Sequence, residues 1–387
     1  MTDLDGILDF AARSRLPDGG FGYLGDDGRV LPGRPVETWI VARMTHVFGL
    51  ASLLGRPGAD ELVRHGVVAL TEGPLHDAEH GGWRAATDDD TKAAYVHAFV
   101  LLAGSTAATV GAEGGPALLD EALGVWQNRF WDDDAGLVVE EWDRSWSRLD
   151  GYRGLNANMH GVEASLAAAD ATRDEDTARR LREQALRTTE RAYGWARERN
   201  WRLPEHFTPD WTPLPDYNHD TPADPFRPFG VTIGHQFEWA RLALHLRSVL
   251  PDPPAWLLDD GRALFDAAAS RGWAADGHDG FPYTLGWDDR PVVGARMHWV
   301  LCEAVAAATV LAEVTGEPRY RDLADRWRAH GEAAFLDPAT GSWHHELTPT
   351  GEVGSDTWAG RPDAYHLAQM LLFDGLPVRG SVAAALR

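Results

Sequence analysis

The feature that most restricts this chain is a turn signal that keeps returning. LPDGGFGYL (16–24), HDAEHGGWRA (76–85), WDDDAGLVVEEWD (131–143), DGHDGFPYTLGWD (276–288) and LDPATGSWHHEL (336–347) share one plan: an Asp-rich turn, a Gly, then alternating aromatic or apolar residues. Asp and Gly take up turn conformations and the alternation makes short strands, so each segment predicts a β-hairpin. Between them, apolar residues recur at three- and four-residue spacing. This predicts helices near 3–14, 35–54, 60–71, 92–110, 116–130, 158–170, 175–198, 235–250, 255–271, 296–315, 318–334 and 363–373. A unit of two helices and a hairpin therefore repeats about every fifty to seventy-five residues. The expected architecture is all-α: one domain over 1–387, six helical hairpins closed into a ring, with short β-hairpins in the loops. No linker divides it. The Pro-rich, aromatic stretch 200–230 reads as a lid or binding loop.

Composition narrows the partners. A net charge of -23 repels phosphate backbones and anionic headgroups, so nucleic acid and membrane are not expected and a neutral ligand is. The N-terminus MTDLDGILDF has no signal-peptide pattern and no uncharged apolar stretch is long enough to span a bilayer, so a cytoplasmic location is the expectation. The single cysteine, Cys302, sits in the apolar run WVLCEAVAAATVL and reads as a buried hydrophobe. Lys92 is the only lysine; Arg supplies the remaining positive charge, and nothing around Lys92 suggests a pyridoxal phosphate site. The 17 Trp are expected mainly in the core.

The even-numbered helices carry the polar exceptions. They are Arg43 and His46; Lys92, Tyr95 and His97; Asn158, His160 and Glu163; His235 and Glu238; His298, Trp299 and Glu303; Asp363 and His366. Most fall in the first two helical turns. If the even helices form an inner ring, these groups converge on one mouth, where helix N-termini favour a developing oxyanion. One such histidine is ordinarily a cap or a core residue; six in comparable places point to a shared cavity. Arg43/His46, His160/Glu163, His235/Glu238 and Asp363/His366 are i,i+3 pairs that share a face, and a carboxylate there is expected to orient its imidazole. Tyr95 and His97 are two apart, so one of them is expected to be structural.

PEHFTPDW and YNHDTPADPFRPFGVTIGHQFEWARL within 204–242, and GRPDAYHLAQ at 360–369, resemble the N-acylglucosamine 2-epimerase superfamily, within it the mannose isomerase and aldose–ketose isomerase branch. TWIVARMTHVF, KAAYVHAFVLLA, NANMHGVEASLAA and MHWVLCEAVAAA follow in family order. The resemblance implies an (α/α)6 barrel, no metal or other cofactor, and a monosaccharide substrate whose ring is opened before a proton moves through an enediol. It implies acid/base roles for His235 and His366, with Glu238 beside the first. Arg43, His160, Trp299 and Trp358 are implied as sugar contacts, and Asn158 and Tyr95, from the polar exceptions on the even helices, are expected to join them. Aldose–ketose isomerisation, most simply of D-mannose and D-fructose by a monomer or homodimer, is the leading expectation. A sugar 2-epimerase, of the mannose/glucose or cellobiose type, is the runner-up.

Three other classes fit less well. A glycoside hydrolase needs two carboxylates across a cleft, and its candidates, 88–90 and 132–134, lie where turns require Asp. A metal enzyme would draw on His76 and His80 or on 344–346, again in hairpins. A non-catalytic sugar-binding protein has no need of converging histidines.

Overall fold

The computed structural model describes residues 2–387. Its helices are α1 (Leu4–Ala12), α2 (Thr38–Leu53), α3 (Ala59–Thr71), α4 (Ala94–Val110), α5 (Gly115–Val125), α6 (Leu155–Ala171), α7 (Glu175–Glu198), α8 (Ile233–Val249), α9 (Trp256–Gly272), α10 (His298–Thr315), α11 (Pro318–Ala334), α12 (Tyr365–Phe373) and α13 (Val382–Ala385). All twelve expected helices are present. The short α13, capped by Ser381, was not anticipated. Nor was the π turn Trp126–Phe130 that continues α5.

Contacts divide the chain into two compact units. The N-terminal unit comprises Leu8–Thr188, Pro362–Tyr365 and Arg379–Arg387; the C-terminal unit comprises Thr189–Arg361, His366–Val378 and the residues up to Ile7. In the N-terminal unit α4 packs between α2 and α6, with α3 against α2 and α5 against α4. In the C-terminal unit α8 packs on α9 and α10, and α10 on α11.

Burial separates two kinds of helix. In α2 every residue from Thr38 to Ala51 is buried, and in α8 every residue from Ile233 to Leu246. A helix covered on all sides lies inside a unit. α11 instead buries Tyr320, Ala324, Trp327 and Gly331, one stripe at helical spacing. Trp327 meets Phe237, Phe265 and Phe281 at centroid separations of 5.7, 5.8 and 5.1 Å. Burying each such ring contributes about 1.5–3 kcal/mol, which is the main use this chain makes of its Trp. α10 is long and apolar enough to cross a membrane by composition, yet it is mostly buried.

The inner helices begin in an unusual way. Glu37, Ala93 and Met297 precede α2, α4 and α10 in extended conformation, and none caps with its side chain. Instead the first helical N–H donates to a hairpin carbonyl: Thr38 to Ala85 (3.0 Å), Ala94 to Glu140 (2.8 Å) and His298 to His345 (3.0 Å). The hairpins therefore fix where the inner helices start. Bridges Arg15–Phe21, His76–Trp83 and Leu336–Trp343, and the ladder Trp131–Asp132 with Leu137–Val138, match four expected hairpins. The fifth is shifted: Thr284–Leu285 pairs forward with 291–293, because the turn residues are Asp288 and Asp289, not the earlier Asp-Gly.

Residues set aside as structural prove to be so. Lys92 is fully buried and donates to Asp77 Oδ2 (3.1 Å) and the Gly81 carbonyl (2.9 Å). Burial holds its pKa below the usual lysine range, against the pull of Asp77. Burial pushes the Cys302 thiol well up. Asp132 accepts from the N–H groups of Asp134 and Ala135, and Asp89 from that of Thr91, as turn residues do.

Candidate active site

His235 stands in the first turn of α8 and His366 in the first turn of α12; both are buried. His235 Nδ1 lies 3.0 Å from Glu205 Oε1, and His366 Nδ1 lies 2.8 Å from Glu303 Oε1. A carboxylate only accepts, so each Nδ1 carries the proton and Nε2 is the basic nitrogen of each ring. Trp299, the second residue of α10, leans over both imidazoles, at centroid distances of 5.3 Å to His235 and 5.5 Å to His366. Gly234 makes room for it: a Cβ there would lie 2.2 Å from the Trp299 ring. The pair thus has matching carboxylate partners and a common aromatic wall.

The orienting carboxylates differ from the i,i+3 expectation. Glu238 does not orient His235; its Oε1 accepts from Arg241 Nη2 at 3.5 Å. Arg241 Nε also donates to Glu303 Oε2 at 2.9 Å, so one buried guanidinium neutralises both carboxylates. His366 takes Glu303 at Nδ1, and Asp363 has partners of its own. Its Oδ1 accepts from the Tyr365 N–H (2.8 Å) and its Oδ2 from Arg43 Nη1 (3.2 Å). Glu205 had no sequence signal beyond its place in PEHF, and Glu303 appeared only as one polar exception on α10. The ligand atoms of Glu238, Glu303 and His366 lie within 4.8 Å of one another, a set that could hold a cation. Arg241 already supplies positive charge to both carboxylates of that set.

Arg43 organises a second constellation in the N-terminal unit. Besides Asp363 it donates to the Tyr95 hydroxyl (2.9 Å), and its guanidinium lies 4.2 Å from the Phe99 ring centre and 4.7 Å from that of Tyr365. Burial opposes its charge, but Tyr95, Asp363 and Tyr365 more than compensate and raise its pKa. The Tyr365 hydroxyl donates to Glu163, whose Oε2 is 3.7 Å from His160 Nδ1. Tyr95, Phe99 and Tyr365 surround the His160 ring.

Other candidates are placed elsewhere. Asn158 is no free sugar contact. Its Oδ1 accepts from the Val138 N–H, and its Nδ2 donates to the Val138 and Gly154 carbonyls, tying a strand to α6. His97 is the structural member of its pair: Nδ1 donates to the Ala93 carbonyl (2.8 Å) and Nε2 accepts the Trp83 N–H (3.1 Å). Its burial pulls its pKa down to about 3. His46 bonds Thr106 Oγ1 at 2.7 Å and burial lowers its pKa to about 4. Trp358 lies on a loop held by Glu346, which accepts the N–H groups of Asp356, Thr357 and Trp358. Its ring meets Phe226 of the Pro-rich loop at 5.2 Å. That loop is anchored by His206, whose Nε2 is 2.7 Å from the Pro228 carbonyl.

The model of the N-acylglucosamine 2-epimerase (GlcNAc 2-epimerase) family matches residues 19–370. The chain belongs to this family. It is 50% identical to a D-mannose isomerase of Thermobifida fusca, over 98% of this chain and 94% of that one. It is 46% identical to a D-mannose isomerase of Pseudomonas cannabina pv. alisalensis, over 98% and 92%. A solved D-mannose isomerase superposes with a TM-score of 0.85 at 26% identity, covering 95% of this chain and 96% of the other. As in its family, the fold class is all-α, of the (α/α)6 type, with short strands in the loops, and the chain is an isomerase.

Proposed function

We propose that this family member interconverts D-mannose and D-fructose. The observation that carries the reading is the matched imidazole pair, each with Nδ1 on a buried carboxylate, which makes Nε2 the basic nitrogen. The reaction needs such a pair. The C2 proton of an open-chain aldose becomes acidic only as the adjacent carbonyl takes up charge, so a base must act at C2 while a donor acts at the carbonyl oxygen. In the proposed assignment His366, backed by Glu303, carries the proton between C2 and C1. His235, backed by Glu205 and not by Glu238, opens the ring and moves the proton between O1 and O2. Positive potential at the starts of α8 and α12 lowers the energy of the enediolate oxygens. The proposed enzyme needs no metal and acts in the cytoplasm.

The competing reading, a 2-epimerase, uses the same groups but returns the proton to the opposite face of C2. Incubation with D-mannose in D2O, followed by product chromatography and NMR, separates the two. Fructose carrying deuterium at C1 is the expected product. Glucose with deuterium at C2 as the main product would replace the isomerase by an epimerase, and no conversion would overturn both.

A further inference from the structure

The N-terminal unit carries a cleft of about 690 Å3 on its surface, between α5, the π turn and α7. It shares no residue with the histidine pair. Its polar lining is Asp120, Gln127, Asn128, Asp133, Arg180 and Gln184, with the half-buried indole of Trp131.

The π turn builds this lining. It carries Gln127 and Asn128, and such wide turns are rare and frequent at functional sites. Gln127 meets Gln184 of α7 in a reciprocal amide pair: Gln127 Nε2 donates to Gln184 Oε1 (2.8 Å), and Gln184 Nε2 to Gln127 Oε1 (3.0 Å). Gln184 is only 7% exposed, so the pair forms a fixed floor. Each amide has a second N–H and a second lone pair beyond this pairing. The chain has four glutamines and two of them are here, so the pair is no by-product of a Gln-rich surface.

The chemistry of the lining selects a ligand class. An anion would meet Asp120 and Asp133, and an apolar molecule would cover amide groups without bonding them. A polyol suits both halves. Its vicinal hydroxyls donate to the carboxylates and accept from the amides and Arg180, while its C–H face packs on the Trp131 indole. We propose that this cleft is a second, non-catalytic binding site for a neutral sugar.

The test uses the full chain labelled with 5-fluorotryptophan, with the Trp131 resonance assigned in 19F NMR by Trp131→Phe. The probe is methyl α-D-mannopyranoside, whose ring cannot open, so turnover does not intrude. A saturable shift of the Trp131 resonance is expected. Replacing Gln127 and Asn128 by Ala removes several hydrogen bonds and should raise the midpoint about tenfold or more, with turnover of D-mannose unchanged. If that double variant melts early, Asn128→Ala at its exposed position replaces it. No shift, a shift linear in sugar, or an unchanged midpoint in the variants would overturn the site. Because the probe is no substrate, these outcomes are independent of the isomerase assignment.

Discussion

His97 in the N-terminal unit, and His235 and His366 in the C-terminal unit, lie buried near the starts of their helices, and His46 lies buried midway along α2. Their partners divide them. His97 meets backbone on both nitrogens and His46 Nδ1 meets a hydroxyl; burial outweighs the pull of Glu163 on His46, and both rings are held neutral. His235 and His366 each face a carboxylate. Such a partner fixes the tautomer and stabilises the imidazolium that forms when Nε2 takes a proton. Burial in a helix thus does not tell these histidines apart; the atom opposite Nδ1 separates the proposed acid/base pair from the structural ones.

The sharpest way to break this comparison is to remove the imidazoles. His235→Ala or His366→Ala is expected to cut kcat/KM for D-mannose by at least ~10²–10⁴-fold with the melting temperature retained. Near-normal turnover in either would remove that residue from the chemistry. Next come the carboxylates. Glu205→Gln and Glu303→Gln should each lower kcat by about ten- to a hundredfold and shift the pH–rate profile, since only a charged partner stabilises the imidazolium. Asp363→Asn should leave that profile in place, because Asp363 serves Arg43 and the α12 start. A shifted profile there would restore the i,i+3 assignment.

The structural histidines should show the reverse pattern. His97→Phe leaves the Trp83 N–H without its acceptor and is expected to cost about 1–3 kcal/mol in a urea melt while sparing kcat. A loss of kcat without loss of stability would move His97 to the catalytic group. The smallest effect is on acid stability. His46 and His97 have folded pKa values of about 4 and about 3, below the free value of 6.5. Below pH 6.5 the unfolded chain therefore binds protons that the folded chain refuses. The stability present above pH 6.5 declines as the pH falls toward 4 and then 3. Thermal melts between pH 7 and pH 4 should show that fall, and His46→Phe or His97→Phe should flatten it.

The outer helices could be read from the sequence because their apolar residues keep a 3.6-residue period, and the inner ones because their apolar runs are too long for strands. Hairpins were legible through Asp and Gly, except at 276–288, where two Asp-rich turns compete within a few residues. His235, His366 and Trp299 could be found because they interrupt apolar helices near their starts. Their partners could not. An i,i+3 rule sees only neighbours on one helix, whereas Glu205 is thirty residues from His235 and Glu303 is sixty-three from His366. Asn158 misled for a related reason: an amide at a helix start looks the same whether it faces a ligand or a strand.

The hairpin carbonyls that receive the first N–H of α2, α4 and α10 act as an indexing device. Each residue along a helix rotates the side chains by about 100° and advances them 1.5 Å. A one-residue insertion between the Arg296–Met297 strand and α10 would therefore swing Trp299 away from both imidazoles while leaving the helix intact. Divergence in this architecture is thereby channelled: loop tips are open to change in length, whereas the junction of strand and helix is a register in which a single inserted residue rewrites the geometry of the reaction.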